Sequence, residues 1–261
     1  MKALAIAATG MTAQQTNVEV IANNIANLST TGFKRARAEF SDLMYQAHRR
    51  QGVTATEGGN VVPAGVEIGL GVKPTSVVRI MSQGNLQLTS NPLDIALEGR
   101  GFLRVTLADG TDAYTRAGSL GKTPEGLIVT SDGHEVAPGI SIPENTRELT
   151  INRGGEVIVL LDGETEPQTI GRLELATFVN EAGLEALGDN LFRVTGASGN
   201  PIQGFPGDAG YATVRQGYVE SSNVDSVTEI TSLITAQRAY EMNSKVIETA
   251  DQMGRTVSSM R

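Results

Sequence analysis

The sequence predicts an α+β protein: long N- and C-terminal amphipathic helices pairing as a coiled coil, with a central, mainly antiparallel β domain. Three observations predict it. Helix-breaking residues are confined to the middle: all nine prolines lie between Pro63 and Pro206, and of 30 glycines only Gly10, Gly32 and Gly254 fall outside residues 51–224. Both ends carry apolar residues at unbroken heptad spacing. Three Asp-Gly pairs, at Asp109-Gly110, Asp132-Gly133 and Asp162-Gly163, sit between strand-like runs and suit type I′ hairpin turns.

The N-terminal helix follows from Leu4, Ala7, Met11, Gln14, Val18, Ile21, Ile25 and Leu28, whose steps alternate between three and four residues. Only Gln14 is polar. Ser29-Thr30-Thr31-Gly32 stops the helix, with β-branched residues followed by a glycine able to take positive φ. Asn23 and Asn24 flank Ile25, and Asn27 sits beside Leu28. At the edge of a seam an amide can donate and accept across a helix–helix contact and fix its register. For Asn27, ordinary helix-end chemistry is an alternative. The basic group Lys34-Arg35-Arg37 that follows reads either as a solvated loop or as a contact.

Residues 51–75 are Gly-rich and irregular and read as an extended arm. Strand-like runs then follow at 76–80, 93–97, 102–107, 156–161 and 172–178. The C-terminal helix is expected to start between Ser222 and Ser226. Leu233, Ala236, Tyr240, Asn243, Ile247, Ala250, Gly254 and Val257 keep the alternating spacing, and Met242, Val246, Met253 and Met260 form a second row. Two adjacent rows make a face too wide for one neighbour. The expected organisation is therefore helix and turn over 1–50, arm over 51–75, β domain over 76–220 and helix over 221–261.

The 261 residues carry a formal net charge of −8, which argues against nucleic acid as a partner. No cysteine is present, so disulfide and thiolate chemistry are excluded. The opening "MKALAIAATGMTA" imitates a signal peptide, but the seam runs through it without a break to Leu28, so it reads as mature helix. No apolar run approaches the length of a membrane span.

A search for catalysis finds little. His48 and His134 lie far apart with no second ligand near either. Gly69-Leu70-Gly71 and Gly99-Arg100-Gly101 do not extend into phosphate-binding motifs. Asp94 and Glu98 share a strand face without a cleft signal. No cofactor, metal or enzymatic activity is expected. A lone helix of the N-terminal kind, with its apolar residues confined to one seam, needs other helices to stay ordered. Pairing the two ends still leaves the wide C-terminal face for other subunits.

Three stretches resemble one family. "ANNIANLSTTGFKR", Ala22 to Arg35, is similar to the N-terminal signature of the bacterial flagellar axial proteins of the rod and hook. Gln216 to Met253 resembles the C-terminal signature of that group, with Ser222-Asn223-Val224 and Ala236-Gln237-Arg238-Ala239-Tyr240-Glu241 at its centre. Ser82 to Val105 resembles the start of the family's β domain. The length and the post-helix arm resemble a rod subunit more than the longer hook protein, while residues 195–210 match nothing specific.

The resemblance implies a structural subunit that polymerises into a helical tube, with the β domain outward. The contacts it assigns to assembly are Leu4, Met11, Val18, Ile21, Ile25 and Leu28, the three amides, and Gly32 with Phe33. At the other end they are Asn223, Leu233, Gln237, Arg238, Tyr240, Asn243, Ile247, Ala250 and Val257. Implied partners are further copies, other rod subunits, the hook, the surrounding peptidoglycan and outer-membrane rings, and the flagellar export apparatus. The implied location is the basal body, spanning the periplasm, after export without a cleaved signal peptide. A β-domain binding module with oligomerising ends is the rival from another class, and an aromatic or charged pocket in the body would mark it.

Overall fold

The computed structural model describes residues 2–49 and 65–259, with side chains beyond Ala47 and Thr256 outside the described part at those boundaries. The core of the arm therefore lies outside the described residues, as do the side chains of His48 and Val257. The chain forms two compact units. One, the helical unit, comprises the described parts of Met1–Ile25, Ala36–Val78 and Ser226–Arg261; the other, the β unit, comprises Ala26–Arg35 and Arg79–Asp225. The arm's strands thus group with the helices, and the loop after the first helix groups with the β unit.

In the helical unit, α1 spans Lys2–Ala26 and α2 spans Ser226–Ser259. Helical rise makes them about 38 and 51 Å long. Asn24 meets Glu229, Val18 lines a groove with Gln237 and Tyr240, Gly10 lies against Asn243, and Ala3 lines a groove with Ala250. The numbers move in opposite directions, so the helices pair antiparallel. The contact is close because small residues form it: Ala7, Ala13 and Ala236 are buried, and a Cβ at Gly10 would sit 2.9 Å from the Asn243 amide nitrogen.

Four strands form a two-stranded ribbon beside α1: β1 (Ala36–Asp42) with β4 (Val72–Arg79), and β2 (Tyr45–Arg49) antiparallel to β3 (Val66–Gly69). It runs back along the helix. The Val72 N–H donates to Thr9 Oγ1 at 3.3 Å, and Lys2 Nζ donates to Gln46 Oε1 at 2.6 Å.

The β unit holds sixteen further strands among the described residues: β5 (Leu86–Leu88), β6 (Ile95–Glu98), β7 (Phe102–Thr106), β8 (Asp112–Thr115), β9 (Leu120–Lys122), β10 (Ile128–Thr130), β11 (Glu135–Val136), β12 (Thr146–Ile151), β13 (Glu156–Leu161), β14 (Gln168–Arg172), β15 (Leu175–Thr177), β16 (Glu185–Gly188), β17 (Leu191–Arg193), β18 (Ile202–Gly204), β19 (Thr213–Gln216) and β20 (Tyr218–Glu220). Nine make one sheet, in the order β16-β17-β8-β7-β11-β10-β9, with β15 joining β7 to β18. Strands β12, β13 and β14 make a second sheet, and β19 pairs β6 while β20 pairs β5.

All three Asp-Gly pairs turn antiparallel hairpins, β7–β8, β10–β11 and β13–β14, and the glycines have φ of +79°, +86° and +92°. The unmatched 195–210 stretch holds a tight turn at Thr195–Ser198 and the edge strand β18.

Alternation along β7 separates two cores. Leu103 and Val105 join an aliphatic cluster with Ile128, Val157, Val159, Leu175 and Val214. Phe102 points the other way, into edge-to-face contacts with Phe178 and Phe192 at centroid distances of 5.7 and 5.9 Å, and Tyr114 meets Phe178 at 4.9 Å.

Candidate assembly surface

Two side-chain constellations and one uncovered face make up the candidate surface and its supports. The first constellation belongs to the helical unit and centres on Asn24, which is 1% exposed. Its Oδ1 accepts from the Ala36 N–H at 2.9 Å; its Nδ2 donates to the Ala36 carbonyl at 2.8 Å and to Glu229 Oε2 at 3.0 Å. One amide therefore ties α1 to the start of the ribbon and to the first turn of α2. Glu229 is also buried, and its charge sits where the N-terminal end of the helix dipole favours an anion.

The second belongs to the β unit and is ionic. Glu220 is fully buried; Lys34 Nζ donates to its Oε1 at 2.6 Å and Arg116 Nε to its Oε2 at 2.8 Å. The Gly84 N–H adds a bond to Oε1 at 2.8 Å. Arg116 also donates to the carbonyls of Gly99, Gly101 and Leu97, and Lys34 to that of Ser82. The set fulfils the condition for burying charge, that each ion is paired and makes further hydrogen bonds. Burial holds the Lys34 ammonium below its ordinary range despite the attraction of Glu220.

Of the two readings of the Lys34-Arg35-Arg37 group, the solvated loop fails for Lys34, which makes a buried contact. Only Arg37 of the three is exposed. Nothing in the local sequence distinguishes the buried lysine, because its partners Glu220 and Arg116 lie 186 and 82 residues away.

Nearby in the same unit, Asn223 Oδ1 accepts from the Arg35 N–H at 2.7 Å, and its Nδ2 donates to the carbonyls of Ile80 and Ser82 at 2.8 and 3.0 Å. Gly32 has φ +71°, and a Cβ there would lie 2.7 Å from the Ala117 nitrogen, so both conformation and space require glycine. Asn27 performs helix-end chemistry, accepting from Thr30 Oγ1 at 3.0 Å.

The remaining sequence-derived positions divide by exposure. Ile21 is buried, and Leu4, Met11, Val18, Ile25, Leu28 and Phe33 are half-buried, as are Leu233, Asn243, Ile247 and Ala250. Asn23, Gln237, Arg238 and Tyr240 are exposed. Ala13, Glu229, Arg116 and Glu220 were missed by sequence reasoning; the seam pattern cannot flag an alanine one position off it, and a charged residue gives no signal of burial.

The uncovered face lies on the helical unit. Among the described residues, 14 of the 19 exposed large apolar side chains belong to it, and seven of those are on α2: Val227, Ile230, Ile234, Tyr240, Met242, Val246 and Met253. The ribbon supplies the rest, with Met44 81% exposed. An apolar surface this extensive marks an interaction site.

Three family models match the chain: the flagella basal body rod protein model over residues 4–34, the flagellar hook protein FlgE/F/G D1 domain over 96–159, and the flagellar basal body rod FlgEFG protein C-terminal model over 215–260. The flagellar basal-body rod protein FlgG of Caulobacter vibrioides is 56% identical over 261 residues, covering all of both chains. The chain belongs to the flagellar basal-body rod protein family. The FlgG of Agrobacterium fabrum is 55% identical, over 99% of this chain and 98% of its own. The rod protein FlgF of Caulobacter vibrioides is 33% identical, over 95% and 94%. The rod-family match at 4–34 covers most of α1 and the C-terminal match covers α2, so the seven exposed apolar side chains on α2 lie within a family signature. No described helix is long and apolar enough to cross a membrane.

Proposed function

We propose that the chain is the structural subunit of the distal part of the flagellar rod, polymerising into a helical tubular shaft that carries torque from the motor to the hook. It acts mechanically and catalyses nothing. The higher identity to FlgG than to FlgF favours the distal over the proximal position. The observation that carries the reading is the set of large apolar side chains left open along α2 after α1 has paired with it. A head-to-tail contact that does not close on itself converts such a face into a filament. The partners of that filament, which spans the periplasm, are the proximal rod, the hook, the rings of the peptidoglycan and outer membrane, and the export apparatus that delivers the subunit without cleaving a signal peptide.

The test substitutes two exposed positions of that face together, Met242→Lys and Val246→Glu, which leaves net charge unchanged and sets an i,i+4 ion pair. Electron microscopy and sedimentation should show rods from the native protein and none from the variant, with the β unit's circular dichroism preserved. Normal rods from the variant would overturn the assignment of this face.

A further inference from the structure

Residues 26–35 belong to the β unit, yet neither of its apolar clusters contains one of them. What fastens the segment is polar. Asn190 Nδ2 donates to the Thr31 carbonyl at 2.9 Å, and the Gly32 N–H to the Glu220 carbonyl at 2.7 Å. Lys34 reaches Glu220 and Ser82, and the Arg35 backbone bonds Asn223 through its N–H and Ile80 through its carbonyl.

The acceptor for Lys34 keeps a counter-ion and the Gly84 N–H without it. Arg116 and Glu220 balance one another in charge, and Arg116 has three carbonyls of its own. A segment fastened by polar bonds, with no residue in either apolar cluster, is the kind that opens locally while the rest stays folded.

We propose that residues 30–35 form a latch, with Lys34 as its bolt, that docks onto an already folded β unit and can open with the β cores intact. The resident of the slot formed by Glu220 Oε1 and the Ser82 carbonyl is a single primary ammonium. Opening releases residues 30–35 from the β unit while both of its apolar clusters remain closed. This inference is independent of where in the flagellum the subunit sits.

Native-state hydrogen exchange on the full-length protein tests it. The Gly32 and Arg35 amides should exchange at least about tenfold faster than those of Leu103 and Val105 on β7. Lys34→Met should speed Gly32 and Arg35 by a further ten- to hundredfold, roughly the loss of one charged hydrogen bond, with β7 unchanged. Should that variant fail to fold, Asn190→Ala removes the bond to Thr31 away from the ions and should loosen the same two amides alone. Exchange of Gly32 and Arg35 at the β7 rate in the native protein, or equal acceleration of β7 in whichever variant folds, would overturn the latch.

Discussion

Asn24 shows how much tertiary structure a single amide can carry. Replacing it by Ala leaves the Ala36 N–H and carbonyl and the Glu229 carboxylate each short of a partner inside the helical unit. The expected cost is about 2–4 kcal/mol, from buried groups that each lose about 1–3. Asn24→Asp should be worse, because it sets a second carboxylate 3.0 Å from Glu229 where the native residue donates. Urea unfolding followed at a helical probe checks the order native, Ala, Asp; an Asp variant as stable as native would refute the clamp. The seam pattern pointed at Ile25 and placed Asn24 at its edge, since the partners that bury the amide are remote in sequence.

Lys34 gives a pH signature. Its folded pKa lies below 10.5 because burial disfavours the ammonium. Between that lowered value and 10.5 the unfolded chain holds a proton that the folded chain has released, so this site adds stability as pH rises through the window. Lys34 faces Glu220 and Arg116, and Tyr114, raised by its own burial, titrates with the opposite sign. Comparing urea midpoints of native and Lys34→Gln protein toward pH 10.5 isolates the lysine: the native curve should climb relative to the variant's. Parallel curves would remove the assignment.

Among the elements, the hairpins and both helices were legible because their signals are local. Asp-Gly between β-branched runs fixes a turn within two residues, and a three-four repeat fixes a helix within four. The relation between the helices was less legible. Heptad spacing includes Ala7 and Ala236, both buried, but misses Ala13, which is buried one position off the seam, and Gly10, which lies against the Asn243 side chain, while the larger seam residues Leu4, Met11 and Val18 are only half-buried. The same geometry explains the grooves. One of about 530 Å³ runs past Gln15, Val18, Gln237 and Tyr240, and another of about 350 Å³ past Gln14, Asn17 and Ala239. Side chains of unequal size along the pair leave these hollows open. The ribbon follows a different logic: two strands are marginal alone, and Thr9 and Lys2 hold this pair to α1.

For the whole molecule, the two units rest on different forces. The β unit has two apolar clusters and a fully paired ionic centre, so its stability is internal. Among the described residues the helical unit buries alanines, one isoleucine, an amide and the Glu229 carboxylate, while most of its large apolar side chains stay open or half-buried. Small buried side chains contribute little transfer free energy, and a helix pair must still meet the backbone entropy of roughly 60 ordered residues. The helical unit should therefore depend on concentration and the β unit should not. In a dilution series, far-ultraviolet circular dichroism should lose helical signal as sedimentation falls to the monomer mass, while near-ultraviolet bands from Tyr114 and the buried phenylalanines hold steady. Polymer formed on concentration should restore the helix. A dilute monomer that keeps its full helical signal would mean that the alanine-lined pair is stable alone, and the exposed apolar set on α2 would then no longer be needed to order the ends of the chain.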